Sequence, residues 1–175
     1  MAALAGPFIV TAALLGAGGA LKVVRPATTA GALKQMGLPA SNTAVRIGAA
    51  AELAVATAAI VDGSRPFAAL VAASYLAFAV FVLAALRRNV PLSSCGCFGV
   101  EDTPPTAVHL ALNLAAAATA GAVAVGLAEG GGLAAVADMD GSLLLRAAFV
   151  LSTATATWFA YVALTQLPRL TRTAP

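Results

Sequence analysis

Charge is what this sequence has least of. Only 10% of its 175 residues are Asp, Glu, Lys or Arg, against about a quarter in an ordinary soluble domain. So few charges cannot keep the surface of a chain this size wet. With 61% hydrophobic residues and a mean hydropathy of +0.93, most of that surface must face a lipid bilayer. The net charge is +3, and the basic residues lie between apolar runs rather than in a patch. That excludes a nucleic-acid footprint and leaves them as orientation signals. Internal repeats are lacking, and so is any stretch that reads as a soluble domain. Gly130-Gly131-Gly132 lacks the Lys and Ser/Thr of a phosphate-binding loop. The first apolar run also lacks the positive leading segment of a secretory signal. Lys22 and Arg25 follow it directly, which predicts a retained membrane helix.

A spanning helix needs about 20 largely apolar residues. The chain offers runs at 2–21, 43–61, 66–86, 106–128 and 142–167. The second holds Arg46 and Glu52, the fourth only His109, and the fifth Arg146 near its start. Residues 22–42 have room for a short interfacial helix, and 62–66 form a tight turn that makes the second and third runs antiparallel neighbours. The connection 87–105 gathers Arg, Pro, Gly, an acidic pair and both cysteines, whereas 129–141 reads as a flexible Gly-rich acidic loop. The expected organisation is a four-helix membrane domain over 1–128, that loop, and a fifth transmembrane helix with a basic tail over 142–175. Gly16 and Ala20 form a small-xxx-small pair, with compositional bias toward alanine as the equally good reading.

Loop charge sets an orientation. Lys22, Arg25, Lys34, Arg46, Arg87, Arg88, Arg169 and Arg172 fall on one side when five helices alternate, and the other side receives Arg65 and Arg146 among acidic residues. This predicts an N-terminus outside, a cytoplasmic C-terminus, and cysteines at the cytoplasmic edge of a bacterial-type cell membrane.

The two cysteines of the chain, Cys95 and Cys97, stand one residue apart within Ser93-Ser94-Cys95-Gly96-Cys97-Phe98-Gly99. Packing cysteines are scattered through apolar runs, whereas these sit together at a helix boundary with Gly96 between them. A disulfide across one residue closes a small, strained ring that is easily reduced, which suits electron transfer better than stapling a fold. Metal binding and a structural role stay open as alternatives. Asp102 or Thr103, followed by Pro104 and Pro105, reads as the cap and first turn of the next helix. The cysteines would then lie just before a helix N-terminus, where the dipole favours a thiolate.

With its flanks, the segment resembles the methylamine-utilisation MauE family within the wider DoxX-like membrane proteins. The resemblance rests on Cys95-Gly96-Cys97-Phe98-Gly99, the prolines after it, and an apolar helix with Asn113. It extends to Gly19-Ala20-Leu21-Lys22, Pro26, Leu33-Lys34-Gln35-Met36-Gly37-Leu38-Pro39 and Glu52-Leu53, and so covers about residues 4–125. Leu112 stands where the family often has Arg, so no role of that Arg transfers. The resemblance implies an all-α membrane protein, a four-helix DoxX-like transmembrane bundle plus a fifth transmembrane helix. It further implies thiol–disulfide chemistry at Cys95 and Cys97, with a thioredoxin-like partner and an exported disulfide-containing client.

Glu52, inside an apolar helix, needs a partner such as Lys22 or Arg46, or a proton-handling role, because a bare charge there costs about 2.5–3.5 kcal/mol. His109 and Asn113 are four apart and share a helix face. His109, about three helical turns past Cys97, reads either as a proton shuttle for a thiol or as a satisfied interfacial residue. One cysteine pair cannot relay electrons between two internal disulfides. It must exchange with a partner, pass electrons to a lipid-soluble quinone, or both, and a quinone site is placed between the helices near His109 and Asn113. Two other classes stand beside this reading. One is a copper-handling protein using both thiolates and His109, since soft Cu(I) suits that set better than zinc. The other is a non-catalytic assembly subunit. Trp158 and Tyr161 read as packing or interface residues.

Overall fold

The computed structural model describes residues 4–88, 90, 92, 104–130, 132–137 and 143–170, so Cys95 and Cys97 lie outside the described residues. Those residues form seven helical segments in chain order: α1 (Ala5–Val24), α2 (Pro26–Gln35), α3 (Asn42–Asp62), α4 (Arg65–Arg87), α5 (Ala107–Ala124), α6 (Leu133–Ala137) and α7 (Leu143–Leu170). Five of them, α1, α3, α4, α5 and α7, are long and apolar enough to cross a membrane. Their outward faces are apolar too: Ile47, Val80 and Leu151 are each about two-thirds exposed. In lipid such faces need no polar cover, and each helix satisfies its own backbone. The protein is an all-α integral membrane protein.

Local chemistry sets the helix ends. Pro26 opens α2, where its missing N–H is no loss, and Gly37, at φ 78°, closes it. This is the short helix expected within 22–42. Ser41 caps α3 by accepting from the Ala44 amide at 3.1 Å. Gly63, at φ 65°, ends α3, and Pro66 sits in the first turn of α4. The two helices therefore form the expected antiparallel hairpin.

Two contacts organise the bundle: α1 against α3, and α4 against α5, with α7 seated on α1. On α1 the buried stripe runs Phe8, Ala12, Leu15, Gly19, Lys22. On α3 it runs Val45, Ala49, Ala56, Ala59, with Glu52 at the intervening position. Steps of four and three keep each stripe on one face. Small residues let the backbones close: a Cβ on Gly19 would lie 2.8 Å from the Ala49 carbonyl oxygen and 3.1 Å from the Leu53 amide nitrogen, and one on Gly16 3.2 Å from the Ala56 methyl. The close pair is thus Gly16 with Gly19; Ala20 is exposed, so the expected Gly16–Ala20 pairing is replaced. Gly19→Ala is expected to destabilise the protein by about 1–3 kcal/mol through overpacking. Gly121→Ala, where a Cβ meets nothing within 4 Å, is expected to stabilise α5 by about 0.5–1 kcal/mol. Detergent-unfolding midpoints of the two variants should move in opposite directions.

At one end of the bundle the Gly-rich segment is packed rather than only a linker. Cβ atoms on Gly130 and Gly132 would lie 2.6 Å from the Gly63 carbonyl oxygen and 2.7 Å from that of Ile60. Arg65, opening α4, reaches Gly126 just past the end of α5, so α4 and α5 are antiparallel. The last turn of α1, the start of α3, the end of α4 and the start of α5 therefore share the opposite end. Both flanks of the cysteine connection emerge there.

Candidate functional site

The stripe on α3 aims Glu52 at α1, and the stripe on α1 brings Lys22 to meet it. The Lys22 ammonium donates to Glu52 Oε2 and sits 4.6 Å from the centroid of the Phe78 ring on α4. Lys22 is 4% exposed, so its charge is held by a carboxylate, an aromatic face and the C-terminal dipole of α1. Of the two expected partners for Glu52, Lys22 is the one engaged. Arg46 instead donates from Nε to the Val23 carbonyl at 3.2 Å, tying the end of α1 to the N-terminal part of α3.

This pair forms the floor of a cavity of about 560 Å³ between α2, α3 and α4. Met36, Phe78 and Phe81 form apolar walls and Arg88 stands at one end of the lining. The exposed residues Gly48 and Val80 border it, so it opens sideways between α3 and α4. The space exists because α3 is drawn onto α1 and α4 onto α5, which splays the hairpin away from its turn at Gly63. Close by, Leu92 is buried against Met36 and Ala85. Leu92, three residues before Cys95 in the sequence, is thus fixed beside the cavity wall.

His109 and Asn113 occupy one buried face of α5, as their spacing requires, at 1% and 8% exposure. His109 Nδ1 lies 2.9 Å from Thr106 Oγ1, whereas Nε2 is buried with no hydrogen-bond partner among the described residues. The start of α5 corrects the expectation from sequence. The N-cap is Thr106, and Pro104 and Pro105 precede the helix instead of opening it. His109 therefore sits in the first turn of α5, and Cys97 lies outside the described residues. The expectation that Cys95 and Cys97 lie just before this helix start falls on residues outside those described.

Asn113 borders a second cavity of about 510 Å³ with Thr11, Tyr75, Phe149, Ser152 and Thr153. His109 is not in the lining of this cavity. The Tyr75 hydroxyl donates to the Thr11 carbonyl at 2.8 Å. The hydroxyls of Thr11, Ser152 and Thr153 turn back onto their own helices, the usual resort of such groups in apolar surroundings. Tyr75 escaped sequence reasoning because an isolated tyrosine in an apolar run carries no signal of its own. Trp158 and Tyr161 stack at 6.0 Å, with Trp158 63% exposed on the outer face of α7.

A family model described as methylamine utilisation protein MauE matches residues 1–128. That span contains both cysteines, the Lys22–Glu52 pair, His109 and Asn113, and stops before α6 and α7. Neither the curated proteins nor the solved structures contain a match.

Proposed function

The chain belongs to the MauE family, and on that premise we propose that it is a membrane thiol–disulfide redox protein. In this reading Cys95 and Cys97 exchange electrons with a thioredoxin-like partner and support disulfide formation in an exported client, so the connection that carries them faces the client's side of the membrane, opposite to the side that loop charge assigns to it. The observation that carries it is the pairing of the chain's two cysteines across a single glycine, inside the family-matched segment and in the connection between α4 and α5. Anchored flanks support it: Leu92 is held on Met36 and Ala85, and Thr106 on His109.

The exchange proceeds through a mixed disulfide. A thiolate of the reduced partner attacks one sulfur of the Cys95–Cys97 bond and frees the other cysteine as thiolate. The partner's second thiolate then attacks the mixed disulfide and leaves with its own disulfide formed. Two electrons pass to this protein, and two protons complete its dithiol. His109, with Nδ1 engaged and Nε2 buried without a partner among the described residues, is the group proposed to carry a proton in this step.

Single serine substitutions test the reading. With Cys95→Ser or Cys97→Ser, set against a thioredoxin-like partner whose second active-site cysteine is also replaced, neither chain keeps the thiol that would release a mixed disulfide. One of the two variants is expected to accumulate a covalent adduct with a thioredoxin-like protein, which a reductant dissolves. Absence of an adduct from both variants, each correctly inserted, would remove the proposal.

A further inference from the structure

We infer that the cavity between α2, α3 and α4 is a binding site for a membrane quinone, the acceptor that reoxidises the Cys95/Cys97 dithiol. This rests on the function proposed above. A protein that oxidises its partner is left with a dithiol and must pass two electrons and two protons onward. With one cysteine pair, no second internal disulfide can receive them. The balanced step is dithiol plus quinone giving disulfide plus hydroquinone: both S–H bonds break, one S–S bond forms, and the two protons end on the two quinone oxygens.

The cavity has the character such a ligand needs. Its volume of about 560 Å³ falls within the usual range for small-molecule sites, about 300–1,000 Å³. Phe78, Phe81 and Met36 supply apolar walls for a ring. The Lys22 ammonium has three N–H donors, of which Glu52 takes one, so another can donate to a quinone carbonyl and stabilise the charge that reduction brings. A plain acyl chain would give that ammonium nothing. The opening between Gly48 and Val80 is on an apolar, outward face, where a lipid-soluble molecule arrives and an isoprenoid tail can remain.

Position links the site to the cysteines. Met36 lines the cavity and also packs on Leu92. Cys95 is three residues beyond Leu92, and three residues of extended chain span at most about 11 Å. The Asn113 cavity is the weaker choice. Its hydroxyls are turned back onto backbone carbonyls, and it holds no charged group.

The test uses the full-length protein in detergent with decylubiquinone as probe. Wild type should bind it saturably, one per chain, and the pre-reduced protein should convert one equivalent to hydroquinone as its disulfide forms. Gly48→Phe places a ring at the mouth, where a Cβ meets nothing within 4 Å, and should weaken binding at least tenfold without loss of folding. Lys22→Met/Glu52→Leu, which keeps an apolar match while removing the donor, should do the same. Cys95→Ser/Cys97→Ser should bind as wild type but reduce nothing. Uptake that never saturates, uptake indifferent to Gly48→Phe, or a resident phospholipid that the probe cannot displace would overturn the site. Saturable binding without reduction by the dithiol would overturn the acceptor role. Should the probe fail while mixed disulfides are still trapped, only this inference falls; should it bind normally to a protein whose thiols trap nothing, the proposed exchange falls instead.

Discussion

Cells carrying Cys95→Ser/Cys97→Ser are expected to lose oxidation of the exported client almost completely, while the variant inserts and folds as wild type does. Serine keeps the size and the hydrogen-bonding capacity of cysteine but cannot form the S–S bond that the proposed exchange breaks and remakes. Both positions lie in the connection between α4 and α5, outside the helices whose contacts organise the bundle, so stability should be little changed. Comparing client disulfides by thiol alkylation with the amount of membrane-inserted protein separates loss of chemistry from loss of protein. Full client oxidation with the double variant would return the cysteines to a passive role.

Lys22→Met is expected to be the most damaging single change in the bundle. It strands Glu52 beside α1 in apolar surroundings, and breaking a buried pair by removing one partner costs about 3–5 kcal/mol. The reciprocal Glu52→Leu should cost less. The stem of Lys22 lies in the last turn of α1, and a modest shift can carry its ammonium toward the interface. Replacing both, as Lys22→Met/Glu52→Leu, should recover most of the loss, because a well-matched apolar pair stands in for a buried ion pair at little net cost. Unfolding midpoints of the four proteins in mixed micelles give the coupling energy directly. Strictly additive losses would show that the two side chains do not depend on one another.

Much of this architecture could be read before any coordinates, for stated reasons. Low charge and long apolar runs demand membrane helices, and the ends of the observed α1, α3, α4, α5 and α7 follow those of the five runs to within four residues. Glu52 could be assigned a basic partner because a lone carboxylate in an apolar helix needs one, and Lys22 is that partner. His109 and Asn113 could be placed on one buried face by spacing alone.

Other features were hidden because different structures leave the same trace in sequence. Asp102 and Thr103, each ahead of the prolines, carry the cap signal that sequence offers, whereas Thr106, the cap observed, has no proline after it to mark it. Glycines at 130 and 132 look alike whether they loosen a linker or admit a backbone, and here they admit one beside Gly63. Alanine is so abundant that the stripe containing Gly16 and Gly19 does not stand out from its neighbours. The cavity is a property of three helices together: α3 is held by α1, α4 by α5, and the gap between them has no periodicity of its own.

The most direct measurement is the redox state of Cys95 and Cys97 in growing cells, read by acid quenching and mass-tag alkylation. The account predicts a mixture of dithiol and disulfide in wild type, shifting toward dithiol when the membrane oxidant is depleted and toward disulfide when the thioredoxin-like partner is removed. Cysteines that stay fully reduced under every one of these conditions would contradict it.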